Sequence, residues 1–168
     1  MELISGEYRE QNRLLHESPT KYGQRGHRHL SAVRDIMAKY ECKTILDYGC
    51  GTGELSKHAD FHVQNYDPAI PQYSNLPNPA DLVVCTDVME HIEIDYLGSV
   101  LNHISNLAKK AVYFVIATRY DRSKNVPDGS NPHKIVENGL WWERKLSEYF
   151  KVVEHEEKSG EVVFLCVR

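Results

Sequence analysis

Three glycines on alternate positions, Gly49-Cys50-Gly51-Thr52-Gly53, stop the strand-like run Lys43-Thr44-Ile45-Leu46-Asp47-Tyr48. Lacking a Cβ, such residues let the chain turn tightly and let a ligand approach the backbone. A short helix predicted over Gly53 to Asp60 then points its unpaired N–H groups at that ligand. The next strand, Phe61 to Asp67, ends in a carboxylate twenty residues after Asp47. At that spacing an acid can accept both hydroxyls of a ribose. Strand, glycine loop, helix, strand and acid in this order predict a parallel βαβ unit facing a nucleoside-like ligand. A plain turn would not call for the acid. A dinucleotide fold would want G-x-G-x-x-G and a second half, and the chain has neither the spacing nor the length.

The remaining apolar residues keep the alternation going. Val33, Ile36, Met37 and Tyr40 form one helical face within His29 to Tyr40, and Leu97, Val100, Leu101, Ile104 and Ala108 form another within Ile94 to Ala108. Asp81 to Thr86 reads as a buried strand, and Ala111 to Ala117, the most apolar run, as a central one. Leu140 to Phe150 reads as a helix. Lys151 to His155 and Glu161 to Val167 read as strands joined at Lys158-Ser159-Gly160. The first twenty residues are polar and predict a loosely ordered extension with a short helix around Tyr8 to Leu15. The expected class is α/β: a doubly wound, mostly parallel sheet with helices on both faces, closed by an antiparallel hairpin.

A chain of 168 residues with 41% hydrophobic and 26% charged residues suits one domain spanning 1–168. A net charge of −4 supplies no global attraction to nucleic acid. Two local basic clusters stand out, one at Arg25, His27, Arg28 and His29, the other at Arg119, Arg122 and Lys124. Each reads either as a phosphate-recognition element or as solvated surface. Trp141 and Trp142 predict one core residue and one that packs or stacks on a planar acceptor. Cys42, Cys50, Cys85 and Cys166 form no CxxC pair, and three lie in apolar, strand-like contexts, so free thiols in the cytoplasm are expected. The sequence has no apolar run of membrane-spanning length and no signal-peptide pattern at Met1 to Glu7.

The segment Ile45 to Gly53 resembles motif I of the class I S-adenosylmethionine-dependent methyltransferases: a hydrophobic pair, an acid, any residue, then G-x-G-x-G. The resemblance runs from about Lys43 to the C-terminus and implies a Rossmann-like fold with S-adenosylmethionine as cofactor. It implies that the backbone from Gly49 through Cys50 and Gly51 to Gly53 lies against the methionine part. Asp47 would then orient the amino group, Asp67 bind the ribose, and Asp87 face the methyl group. Tyr22 and Gly23 either cover the cofactor carboxylate or form a plain turn. The chain departs from the family between Asp67 and Leu82, where fourteen residues include Pro68, Pro71, Pro77 and Pro79. Members normally place a helix and a third strand there. This chain has room for a short strand near Tyr73 to Leu76, which leaves the sheet helix-poor between its second and fourth strands. The usual adenine-contacting acid is missing, so Asn75 and Leu76 are expected at the adenine edge. The exposed sheet edge predicts a homo-oligomer.

A second constellation is Asp87-Val88-Met89-Glu90-His91 together with His133. Two carboxylates and two imidazoles make a mixed oxygen and nitrogen donor set suited to a divalent metal ion. The pattern resembles the metal-dependent small-RNA 3′-terminal 2′-O-methyltransferases and the ubiquinone-pathway O-methyltransferases. They carry acid-x-x-Glu-His and a later His before an aromatic-rich helix. The resemblance implies Asp87, His91 and His133 as catalytic residues and Asp87, Glu90, His91 and His133 as metal ligands, with Asp87 standing where Glu is usual. The competing reading has His91 capping a helix or packing and His133 serving the loop. The expected activity is methyl transfer to an oxygen or nitrogen of a small molecule or nucleic-acid end. The alternatives are an enzyme that cleaves the sulfonium cofactor and a non-catalytic cofactor-binding subunit.

Overall fold

The computed structural model describes residues 2–17, 25–122 and 129–168; Tyr22, Gly23 and Lys124 lie outside them. In chain order the elements are α1 (Gly6–Glu17), α2 (Leu30–Lys39), β1 (Ile45–Tyr48), α3 (Glu54–His58), β2 (Val63–Tyr66), β3 (Ala80–Thr86), α4 (Leu97–Leu107), β4 (Ala108–Ala117), α5 (Gly139–Ser147), β5 (Lys151–Lys158) and β6 (Glu161–Val167). The six strands form one sheet in the order β2-β1-β3-β4-β6-β5. The first four are parallel, and β6 runs antiparallel to both β4 and β5.

Strand alternation divides the interior into two layers. Leu46, Val83, Cys85, Val112, Phe114 and Phe164 pack with α4 and α5. Ile45, Leu82, Val84, Ala111, Tyr113 and Leu165 pack with α2 and α3 on the other face. A sheet covered on both faces explains why β3 and β4 read as continuous apolar runs. Trp142 is the core tryptophan, while Trp141 packs partly buried against the same layer. All four cysteines are buried and free. No helix among the described residues is long and apolar enough to cross a membrane.

The short strand expected near Tyr73 to Leu76 does not form. Pro71–Tyr73 is a single 3-10 turn instead, and the Tyr73 carbonyl accepts from Asp67 N at 3.0 Å. Pro71, Pro77 and Pro79 carry no N–H, so the segment has too few donors for a ladder. It runs beside β2 through side chains, with Gln64 bonded to both the N–H and the carbonyl of Asn78. At the other edge, β5 is exposed and carries Glu154, Glu156, Glu157 and Lys158, charges that disfavour strand addition.

Phe164 is fully buried at the centre of the α4–α5 layer, against the His155 ring on β5 at 4.7 Å. Replacing Phe164 by Ala is expected to destabilise the protein by about 3–5 kcal/mol through lost burial and a residual cavity. Urea unfolding of the purified variant measures this.

Candidate functional site

The glycine loop takes a shape that side chains resist. Gly49, Gly51 and Gly53 have φ of 77°, 52° and 79°, all in the left-handed region. Gly49 N and Cys50 N both donate to the Tyr66 carbonyl, at 2.7 and 3.1 Å, which fastens the loop to the end of β2. A Cβ on Gly49 would lie 2.4 Å from Val88 Cγ2, so the loop also packs tightly on the turn after β3. Asp67 accepts from Gly51 N at 3.0 Å through one oxygen and from Ala69 N at 2.9 Å through the other. Its carboxylate is thereby fixed beside the loop. Asp47 is buried beneath it; desolvation first, and the Asp67 charge second, push its carboxyl up to about 7.

These residues line one end of a cavity of about 820 Å³, within the size range of small-molecule sites. Asp47, Gly49, Cys50, Gly51 and Asp67 are all in its wall. Gly53 is not; it serves as the left-handed residue that starts α3. Asn75 and Leu76 are also outside the wall and exposed, Leu76 at 78%. The proline-rich segment stays on the surface beside β2, whereas Pro68 and Ala69 line the cavity.

Helix α1 contributes Tyr8, Asn12 and His16 to the same wall, a role the sequence reading missed. The signal was available, since Tyr8, Asn12, Leu15 and His16 fall at i, i+4, i+7 and i+8 on one stripe. Two bonds tie the helix across the site. Tyr8 OH donates to the Pro132 carbonyl at 3.3 Å, and Ser5 N donates to Glu93 Oε2 at 2.9 Å.

At the far end, Asp87 leaves β3 with φ 55°, an unusual conformation for a side-chain-bearing residue. The bend turns the Met89–His91 3-10 helix back toward the cavity. Glu90 is fully buried there. Its carbonyl accepts from Lys134 N and Ile135 N at 2.7 and 3.0 Å, and its Oε1 accepts from Ala117 N at 3.1 Å. Its Oε2 has no hydrogen-bond partner. Desolvation, with Asp87 as the next contributor, raises this carboxyl to about 8.

His91 and His133 meet edge to face with ring centroids 4.8 Å apart. His91 Nδ1 faces the Pro132 carbonyl at 3.0 Å and His133 Nδ1 faces the Arg119 carbonyl at 2.5 Å. A carbonyl only accepts, so each Nδ1 carries a proton, which leaves Nε2 as the nitrogen available to ligate a metal. Burial, then His133, pushes His91 down to about 3, which keeps it neutral. One atom each from Glu90, His91 and His133 lie within 4.8 Å of one another. Asp87 is corrected here: it lines the cavity and is exposed, outside this donor group. Asn131 orders the loop that delivers His133, accepting from His133 N at 2.9 Å and donating to the Asp121 carbonyl at 2.9 Å.

A family model described as "Methyltransferase domain" matches residues 13–154. Solved structures share the architecture at low identity. The magnesium protoporphyrin IX methyltransferase from Synechocystis PCC 6803, with bound SAH, is 16% identical, with 90% of this chain and 88% of that one covered and a TM-score of 0.61. The N-methyltransferase NodS from Bradyrhizobium japonicum WM9 is 13% identical over 96% and 98% of the two chains, with a TM-score of 0.60. The methyltransferase domain of bacterial CtHen1 is 15% identical over 84% and 98%, with a TM-score of 0.58. No curated protein sequence matches significantly.

The two raised carboxyls set a pH dependence. Asp47 and Glu90, at about 7 and about 8, hold protons in the fold that the unfolded chain has released. Their stabilising contribution is complete below the ordinary carboxylate range and is lost as pH rises through the folded values. Between pH 7.5 and 8.5, above the range where free histidines titrate, metal-free protein should lose about 1 kcal/mol of stability, most of it from Glu90. Thermal unfolding across that window, with Glu90→Gln and Asp47→Asn each flattening the slope, measures the effect.

Proposed function

The chain belongs to the methyltransferase-domain family and is an S-adenosylmethionine-dependent methyltransferase, and we propose that it methylates an oxygen or nitrogen of an acceptor with a divalent ion held by Glu90, His91 and His133. The observation that carries the metal is the buried Glu90 Oε2, which lacks a partner and belongs to the same donor group as two Nδ1-protonated histidines. A mixed oxygen and nitrogen set of this kind suits Mn²⁺, Fe²⁺ or Zn²⁺.

The cofactor supplies a methyl group already activated on its sulfonium, so the protein's tasks are alignment and the movement of one proton. The Gly49–Gly51 backbone offers a surface without side chains. Each oxygen of Asp67 already accepts one backbone N–H and retains a lone pair for a ribose hydroxyl. Asp47, near half-protonated at neutral pH, sits beneath the loop to orient the cofactor's amino group. The α1 residues Tyr8 and Asn12 form part of the cavity wall. A divalent ion held by Glu90, His91 and His133 would supply Lewis acidity that lowers the pKa of an acceptor hydroxyl. The Pro132 and Arg119 carbonyls hold both imidazoles with Nε2 available to ligate. Exposed Asp87 faces the acceptor space. Four buried free thiols support a reducing compartment, and the cytoplasm is the location this proposal takes.

Calorimetric titration with S-adenosylhomocysteine should show binding that Asp67→Ala weakens by about a hundredfold, as expected for lost hydrogen bonds to a buried charge. Gly49→Val should abolish it through backbone strain and the clash with Val88. With labelled methyl donor and a cell extract, S-adenosylhomocysteine should form only when acceptor is present. Other cofactor fragments would indicate cleavage, and binding without turnover a non-catalytic subunit. Metal analysis should find an ion in the wild type that is lost in His133→Ala, with turnover falling in parallel. Full activity in chelator, or in His133→Ala, would remove the metal from the mechanism.

A further inference from the structure

Four arginines, Arg25, Arg28, Arg119 and Arg122, border the cavity, all of them exposed. None forms an ion pair among the described residues, although the same wall carries carboxylates. Most of those carboxylates are otherwise engaged. Asp47 and Glu90 are buried with raised pKa, Asp67 holds two backbone N–H groups, and Glu93 accepts from Ser5 N. Asp121 lies 3.8 Å from His133 Nε2. The arginines' planar forks match phosphate and carboxylate.

Arg119 joins this rim to the metal-ligand group. Its carbonyl fixes His133 through Nδ1 at 2.5 Å. Its side chain lies along the hairpin turn, where a Cβ on Gly160 would fall 2.4 Å from Arg119 Nε. Thr118 N donates to the Gly160 carbonyl at 3.0 Å, so the main chain just before Arg119 is fixed to the turn along which its side chain lies. The cavity, about 820 Å³ and roofed by α1, has the dimensions of a small-molecule site. The chain's net charge of −4 works against a polyanion.

We propose that the methyl acceptor is a small anionic molecule whose phosphate or carboxylate is gripped by Arg119 and Arg122, with Arg28 contributing from the α2 side. The arginine rim adds the substrate class to the methyltransferase reading and rests on it. The anion holds the acceptor in register, and the reacting oxygen or nitrogen lies toward Glu90, His91 and His133. The recognition element and the reactive end are thus set by one residue's backbone and side chain.

The test uses the full chain in chelator, with and without saturating S-adenosylhomocysteine, at constant ionic strength. Calorimetry reads the binding of inorganic phosphate, pyrophosphate, glycerol 3-phosphate and citrate, with glycerol as the neutral control and a 5′-phosphorylated oligonucleotide as the polymer. At least one small anion should bind, glycerol should not, and Arg119→Gln/Arg122→Gln should weaken the anion by about tenfold or more. S-adenosylhomocysteine affinity should be unchanged in that variant, and Arg34→Gln on the outer surface should behave as wild type. A preference for phosphate probes over citrate, or the reverse, separates the two sources of negative charge. Equal affinities in wild type and double variant, or no small anion bound by the wild type, would overturn the proposal. Oligonucleotide binding about tenfold tighter than every small anion would overturn it in favour of a nucleic-acid end. Absence of S-adenosylhomocysteine binding strikes the methyltransferase reading instead, while the titration without it still reads the arginine rim.

Discussion

A carboxyl group with no solvent exposure, that of Glu90, holds the acceptor half of the molecule together. Its main-chain carbonyl captures Lys134 N and Ile135 N, and its side chain captures Ala117 N at the end of β4. Through this one residue the turn after β3, the tip of β4 and the segment leading to α5 share a common anchor. Burying an unpaired carboxylate costs several kcal/mol. The protein limits that cost by keeping Glu90 protonated up to about pH 8. The remaining oxygen, without a hydrogen-bond partner, is grouped with the imidazoles of His91 and His133. A cation bound there would replace the proton and remove the desolvation cost, so the same strain that weakens the metal-free fold strengthens metal capture.

The cofactor half is built on the opposite kind of constraint. Asp47 is buried there as well, but the larger share of the constraint lies in backbone conformation, taken by three glycines in the left-handed region. Tyr66 O and the Asp67 carboxylate bind three successive loop N–H groups, so β2 holds the loop in shape without any ligand. Because Gly49 packs on Val88, the two halves meet at one contact. A displacement of the loop is therefore felt at the turn that carries Glu90 and His91.

Local signals were the legible ones. The glycine spacing, Asp67 at the end of its strand and the apolar runs of β3 and β4 all act within a few residues, and the structure places them as read. Glu90 and His91 were legible as donors by their spacing, and the burial of Glu90 was not. Its flanking residues look like a polar turn, and only the arrival of Ala117 and Lys134 from elsewhere encloses it. The roof made by α1 was illegible for the same reason. Tyr8 reaches Pro132 across 124 residues of sequence, and a polar helix gives no hint of what it covers. The strand expected near Tyr73 to Leu76 was misread, because the prolines remove its donors. Asp87 lines the cavity, and its place among the donors was what the family resemblance implied. Its left-handed backbone turns the chain so that Glu90, rather than Asp87, enters that group.

The antiparallel hairpin connects architecture to chemistry. In a wholly parallel sheet, the strand after β4 would be reached by a crossover, and no turn would return to the carboxyl end of β4. Here β6 pairs antiparallel with β4, which brings the Ser159-Gly160 turn directly against Thr118 and Arg119. Gly160, at φ 80°, leaves room for the Arg119 side chain where any Cβ would collide with it. Arg119 then fixes His133 with its carbonyl and borders the cavity with its guanidinium. The hairpin therefore forms part of the active-site wall. Its turn sets the position of the group next to the acceptor space, while the parallel half of the sheet sets the position of the cofactor.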